Sequence, residues 1–172
     1  QILNPGKIVN SPPMDEELRM STSDGYKMTN FFNYGDFENP LRLAEKCSGS
    51  GDCKKTVLTG GTMCPSFMAT LDEKDSTRAR ANMLRQILSE PSENPFSNPE
   101  LNEILDLCLS CKGCQTECPS GVDITKLKAE TLQQKYLTDG IPWRTQLIGH
   151  FPLLQNLARK FAPVYNFFIE FP

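Results

Sequence analysis

Four cysteines stand in one tight run, Cys108-Leu-Ser-Cys111-Lys-Gly-Cys114-Gln-Thr-Glu-Cys118-Pro119. The spacing, C-x2-C-x2-C-x3-C-P, is one that holds iron–sulfur clusters through thiolates. Gaps of two residues let a turning loop set three thiolates at three corners of a cuboidal cluster. Gly113 is expected to permit that turn without Cβ strain. Backbone N–H groups along the loop can point at sulfur and stabilise an added electron. Pro119 has no N–H and biases Cys118 toward extended backbone, which turns it away from the first cube. Where two such clusters share a domain, the fourth cysteine ligates the other cluster.

A degenerate second copy lies upstream. Cys47-Ser-Gly-Ser50-Gly-Asp-Cys53 is followed, after a longer gap, by Cys64-Pro65-Ser66. Superposing the copies sets Cys47 on Cys108, Ser50 on Cys111, Cys53 on Cys114, and Cys64-Pro65-Ser66 on Cys118-Pro119-Ser120. Exchange of the fourth ligand then defines two sites. Site A takes Cys108, Cys111, Cys114 and Cys64, and is expected to hold a 4Fe–4S cluster. Site B takes Cys47, Cys53 and Cys118, with Ser50 at the place of the fourth ligand. Its expected occupant is a 3Fe–4S cluster or a second 4Fe–4S cluster, because a serine oxygen is a harder, weaker ligand than a thiolate. All seven cysteines are used. Zinc ribbons pair two C-x2-C knuckles, which is not this pattern. An odd cysteine count without a secretory signal is also a poor disulfide framework.

The rest of the chain sets the frame. It has 172 residues, 38% hydrophobic and 23% charged, enough for one domain with a real core. A net charge of −3 argues against a nucleic-acid partner. No apolar run reaches the roughly 18 residues of a membrane span, and no basic-then-apolar leader opens the chain. The expected location is cytoplasmic. A start at Gln1 and an end at Phe171-Pro172 suggest a piece of a longer polypeptide.

The elements that must position the cysteines read as helices. Residues 1–30, with Pro5, Gly6, Pro12, Pro13 and Gly25, read as a linker. A short helix is expected from Asn39-Pro40, delivering Leu41, Leu43 and Ala44 to a core just before Cys47. Residues 48–62 read as loop. Asp75 or Ser76 can cap a helix carrying Ala79, Met83, Leu84, Ile87 and Leu88. Residues 89–98, with Pro91 and Pro95, read as a second loop. Asn98-Pro99-Glu100 opens the helix before Cys108, with Leu101, Ile104, Leu105, Leu107 and Leu109 following. Asp123 caps a helix to about Leu137, with Gly140 past its end. A last amphipathic stretch holds Leu153, Leu154, Leu157, Phe161, Phe167 and Phe168. No period-two alternation is sustained, so the class is all-α. The expected division is a linker over 1–30, a dicluster domain over 31–140, and a helical extension over 141–172 toward a further domain.

Several stretches resemble one family. They are Glu45-Lys46-Cys47 with its Gly-rich loop, Gly61 through Thr70, Glu73 through Arg80, and Leu105 through Asp123. Together they are similar to the iron–sulfur region of bacterial FAD-linked oxidases, such as glycolate oxidase and D-lactate or D-2-hydroxyglutarate dehydrogenases. The likeness covers about residues 40–135. Ile2-Leu3-Asn4-Pro5-Gly6-Lys7 resembles the end of their flavin domain. The resemblance implies an α-helical ferredoxin-like domain that relays single electrons from FAD, reduced by a 2-hydroxy acid. The FAD lies in an upstream flavin domain of the same polypeptide, and a downstream domain or acceptor takes the electrons. This chain by itself is then a carrier without catalytic residues. A more distant likeness is to the helical ferredoxin domain of the succinate dehydrogenase and fumarate reductase iron–sulfur subunit. There a C-x5-C pair and the Cys-Pro of the other motif hold a 3Fe–4S cluster. Cys47, Cys53 and Cys118-Pro119 match that set, but the motif order is swapped, so no quinone site is carried over.

Other readings stand beside these. The domain could sense redox state or iron through cluster loss, or site B could be a remnant beside one working cluster. Arg78, Arg80 and Arg85 read as a solvated face paired with Asp72, Glu73 and Asp75. His150 reads as a non-ligand, and Trp143 as a core anchor. The stretch from Phe151 to Phe171 reads as a face packed on this or a neighbouring domain, with a peripheral membrane contact as the alternative.

Overall fold

The computed structural model describes residues 10–16, 18–19, 25–89 and 94–170, the last without its side chain. Ile2 through Lys7, Gly6 and Pro5 of the expected linker, and Pro91 of the second loop, lie outside the described residues. Among the described residues there are helices and turns and no strand, in line with the all-α ferredoxin-like class. The residues fall into two units, 1–134 and 135–172.

The first unit is built twice from the same plan. Helix α1 spans Pro40–Glu45, and the side-chain Oδ1 of its capping Asn39 accepts from the Arg42 N–H. Helix α4 spans Pro99–Asp106, and Asn98 accepts from the N–H groups of Glu100 and Leu101. Both start Asn-Pro, because proline at the first helical position forfeits an N–H that had no partner anyway. Both end two residues before the first cysteine of a motif. Cys47 N–H then closes on the Ala44 carbonyl and Cys108 N–H on that of Leu105.

The correspondence continues past the cysteines. Cys53 lies on a single helical turn, Asp52–Lys54, where its counterpart Cys114 lies on helix α5 (Gly113–Glu117). Helix α2 (Pro65–Thr70) follows Cys64 and has no counterpart directly after Cys118. Helix α3 spans Thr77–Ser89, with Ser76 Oγ accepting from the Ala79 N–H. Helix α6 spans Ile124–Asp139, with Asp123 accepting from the Lys126 N–H. Thus Thr77 matches Ile124, Arg78 matches Thr125, and Arg80 matches Leu127. Gly140, at φ +81°, closes α6 as expected, its N–H on the Tyr136 carbonyl.

Helix α3 packs on α1 and α4. The core between the halves holds Leu43, Ala44, Met63, Phe67, Ala81, Leu84, Ile87, Leu101, Leu105, Val122, Ile124 and Leu127. Cys47, Cys53, Cys64 and Cys114 belong to the same core, so the motif loops are its lining rather than its surface. A satellite cluster joins Leu41, Leu88 and Phe96, with Tyr26 edge-on to Phe96.

Some expectations need correcting. On α3 the buried positions include Arg80 and Ala81, while Ala79 and Met83 are only partly covered. Leu107 and Leu109 lie past the end of α4 and are exposed. A buried carboxylate went unread in the sequence. Glu130 on α6 accepts from the N–H groups of Phe31 and Phe32 and from Gln134. It also accepts from the Tyr34 hydroxyl, whose pKa burial and then Glu130 push well above the ordinary range. The entering chain is thereby tied to α6.

The second unit holds helices α7 (Trp143–Gly149) and α8 (Phe151–Glu170). Exposed His150 ends α7, and its carbonyl accepts from Leu153 and Leu154. Trp143 is 77% exposed and anchors no core. One face of α8 presents Leu153, Leu157, Phe161, Val164 and Phe168, all exposed. Among the described residues no helix is long and apolar enough to cross a membrane.

Candidate metal centre

Cys64, Cys108, Cys111 and Cys114 line one cavity, together with Ser66, Thr77, Arg80, Ile124 and Thr125 among others. The first of these cysteines comes from the upstream motif and the other three from the downstream one. Cys118, one turn of chain away from Cys114, does not line it. Its backbone is extended, at φ −74° and ψ 123°, as a residue before proline should be. Cys64 also precedes a proline, yet it sits in the left-handed region at φ 60° and ψ 63°. That conformation is costly for a residue with a Cβ and persists only where its surroundings enforce it.

Those surroundings are specific. The Glu117 carboxylate, at the end of α5, accepts from Thr62 N–H at 2.7 Å, Thr62 Oγ1 at 2.5 Å and Met63 N–H at 3.1 Å. The same bonds hold its pKa below the usual carboxylate range, the Thr62 hydroxyl contributing most. A Cβ on Gly113 would stand 3.2 Å from both Met63 Cα and the Thr62 carbonyl oxygen. Gly113 therefore serves close backbone approach between the Cys64 arm and α5. The left-handed turn itself is made by Ser110 (φ 53°) and Lys112 (φ 62°), not by Gly113 as the sequence suggested.

The donors aimed at sulfur repeat in the two halves. Arg78 N–H, at the start of α3, points at Cys53 Sγ from 3.3 Å. The N–H groups of Ile124 and Thr125, at the start of α6, do the same for Cys114. Helix N-termini favour negative charge, so each long helix stabilises a thiolate in the matching place of its half. In the chain without metal, burial outweighs this and pushes both thiols up. Metal must therefore displace a proton from each.

The upstream and downstream motifs also meet beside the residues expected for site B. Cys47 and Cys53 are both buried. Ser120, two residues past Cys118, donates to Ser48, next to Cys47, at 2.9 Å. Ser50 is exposed between Gly49 (φ 80°) and Gly51 (φ 84°). Its counterpart Cys111 is exposed too, so the second position of each motif faces water. Among the described residues no three His, Cys, Asp or Glu side chains converge as a single ion would require. Thiols arranged around a space, in a core whose helix ends point at sulfur, fit a polynuclear cluster.

The arginines of α3 differ from one another. Arg78 pairs with Glu73 near the surface, and Arg85 donates to the Arg19 carbonyl. Arg80 is only 1% exposed and stands against Cys64, so it is no part of a solvated face.

Residues 46–123 match the 4Fe-4S dicluster domain family. The D-2-hydroxyglutarate dehydrogenase of Pantoea ananatis is 26% identical over 99% of this chain, and that of Escherichia coli K12 is 25% identical over the same share. The glycolate oxidase iron-sulfur subunit of E. coli K12 is 36% identical over 46% of the chain. The chain spans about a fifth of the length of these relatives, 20%, 20% and 17% respectively. No solved structure matches it. The chain thus carries, over residues 46–123, the likeness of a 4Fe-4S dicluster domain, and almost its whole length resembles a stretch of bacterial D-2-hydroxyglutarate dehydrogenases.

Proposed function

We propose that this chain is the electron-relay module of a flavin-linked 2-hydroxy acid dehydrogenase. Site A is formed by Cys64, Cys108, Cys111 and Cys114 and takes a 4Fe–4S cluster. Site B is formed by Cys47, Cys53 and Cys118, with Ser50 at the open corner, and takes a 3Fe–4S or second 4Fe–4S cluster. The observation that carries this reading is the crossing of ligands. Cys64 leaves its own motif to join the cavity of the other, while Cys118 stays out of it. Such exchange is the mark of two-cluster domains.

Bound clusters supply one-electron storage without proton chemistry of their own. The chain's contribution is to hold thiolates, aim N–H groups at them, and bury Cys64 and Cys114 of site A and Cys47 and Cys53 of site B away from water. Exposed Cys111 and Ser50 mark where electrons can enter and leave. The donor in this reading is FAD in a flavin domain of the same polypeptide, and the acceptor lies in a downstream domain or a separate protein. The size of the relatives supports a larger polypeptide of this kind.

The test uses the full-length polypeptide under anaerobic conditions. Addition of a D-2-hydroxy acid such as D-2-hydroxyglutarate should reduce the clusters within the turnover time, seen by freeze-quenched electron paramagnetic resonance. Clusters that stay oxidised while the flavin is reduced would favour the sensing role over relay.

A further inference from the structure

We propose that Arg80 is a buried cation that sets the reduction potential of site A above the value its thiolates alone would give. The proposal rests on the cluster reading of that site and deepens it. The guanidinium is held in place by Nε on the Ile104 carbonyl at 2.8 Å and by one terminal nitrogen on Ser66 Oγ at 3.0 Å. That same nitrogen stands 3.6 Å from Cys64 Sγ. The side chain lines the cavity that the four thiols share.

Its charge is paired within the protein by one carboxylate, but loosely and on the side away from its contact with Cys64 Sγ. Asp75, equally buried, forms an ion pair with the second terminal nitrogen at 3.8 Å, beyond hydrogen-bond distance. That nitrogen and Asp75 Oδ2 are both buried without a hydrogen-bond partner. The first terminal nitrogen, free of Asp75, is the end of the guanidinium that stands at the Cys64 sulfur and the shared cavity. Four thiolates outweigh the positive charge of an iron–sulfur core, and the assembly becomes more negative on reduction. A fixed cation at this distance in a water-poor site therefore favours the reduced state.

The other half has no buried arginine at the matching place; Arg78, which reaches the Gly49 carbonyl near Cys47 and Cys53, is part-exposed and paired with Glu73. The position that matches Arg80 is Leu127 on α6, buried and apolar. Two sites built on one plan thus differ by a buried arginine with its donor end on a ligand sulfur, which separates their potentials and gives electron flow a direction. Lys112 also lines the cavity, but it is exposed, so water screens it.

The experiment is a redox titration of the full-length polypeptide, prepared anaerobically and followed by electron paramagnetic resonance. The variants are Arg80→Gln, Arg80→Lys and Lys112→Gln. The expected result is a lower midpoint potential at site A in Arg80→Gln, several times larger than any shift at site B. Arg80→Lys should fall between it and the parent, and Lys112→Gln should move little. If Arg80→Gln does not hold iron at site A, Arg80→Lys carries the test: a site A potential below the parent's supports the proposal, and one equal to the parent's overturns it. Equal potentials in all four proteins, or loss of site A iron from both Arg80 variants, would overturn it. A parent protein without iron would instead overturn the cluster reading itself.

Discussion

Single residues decide which cysteine reaches which site. Glu117 has no ligand role, yet it fixes the arm that carries Cys64 against α5 through three hydrogen bonds. Glu117→Ala should leave those donors without their partner and let the arm swing. The expected outcome is iron lost from site A to a chelator several-fold faster, with the helical circular dichroism unchanged. An unaltered rate would show that packing alone holds Cys64. Ser50 offers a gain-of-ligand test at site B. Ser50→Cys places a soft donor at the open corner and should convert a 3Fe-type signal into a 4Fe-type one, with about one more iron per chain. No change in iron content would count against the alignment of the two motifs. All seven cysteines, and the spacing from which two sites are read, are legible in the sequence because ligand spacing is local. The sequence could not name Arg80, Glu117 or Glu130, since each acts on residues 16 to 99 positions away. It also misjudged Gly113, whose constraint comes from a strand of chain fifty residues upstream.

Helices in this fold are short and depend on their ends. Asn39-Pro40, Asn98-Pro99, Ser76 and Asp123 were all legible as starts, because a capping side chain acts within three residues. The pairing of α1 with α4 and of α3 with α6 was not, as a repeat in backbone plan leaves few repeated side chains. Which face of α3 is buried was misread at Ala79 and Arg80, because periodicity counts an arginine as polar whatever it touches. Asn98→Ala removes the acceptor for two N–H groups at the start of α4. It should cost about 1 kcal/mol of stability, read as a lower denaturation midpoint with the iron content of freshly prepared protein unchanged. A midpoint equal to the parent's would show that packing of Leu101 and Leu105 alone fixes this helix.

At the scale of the molecule, the motif loops contribute part of the core, so metal and folding are coupled. The exposed apolar face of α8 belongs to the second unit and was legible as amphipathic, whereas Trp143 was not legible as exposed. A tryptophan beside a proline reads the same whether or not something covers it. The claim on which the rest depends is that two clusters share this domain by crossed ligands. It is tested most directly by iron and sulfide analysis with electron paramagnetic resonance on anaerobically prepared protein, comparing the parent with Cys64→Ala and Cys118→Ala. The account predicts about seven irons in the parent, or about eight if site B holds a second 4Fe–4S cluster. It further predicts that Cys64→Ala disturbs the signal of the site built on the downstream motif, and Cys118→Ala that of the site built on the upstream one. The contradicting result is each variant disturbing only the site of its own motif, or a parent that binds zinc and takes up no iron on reconstitution.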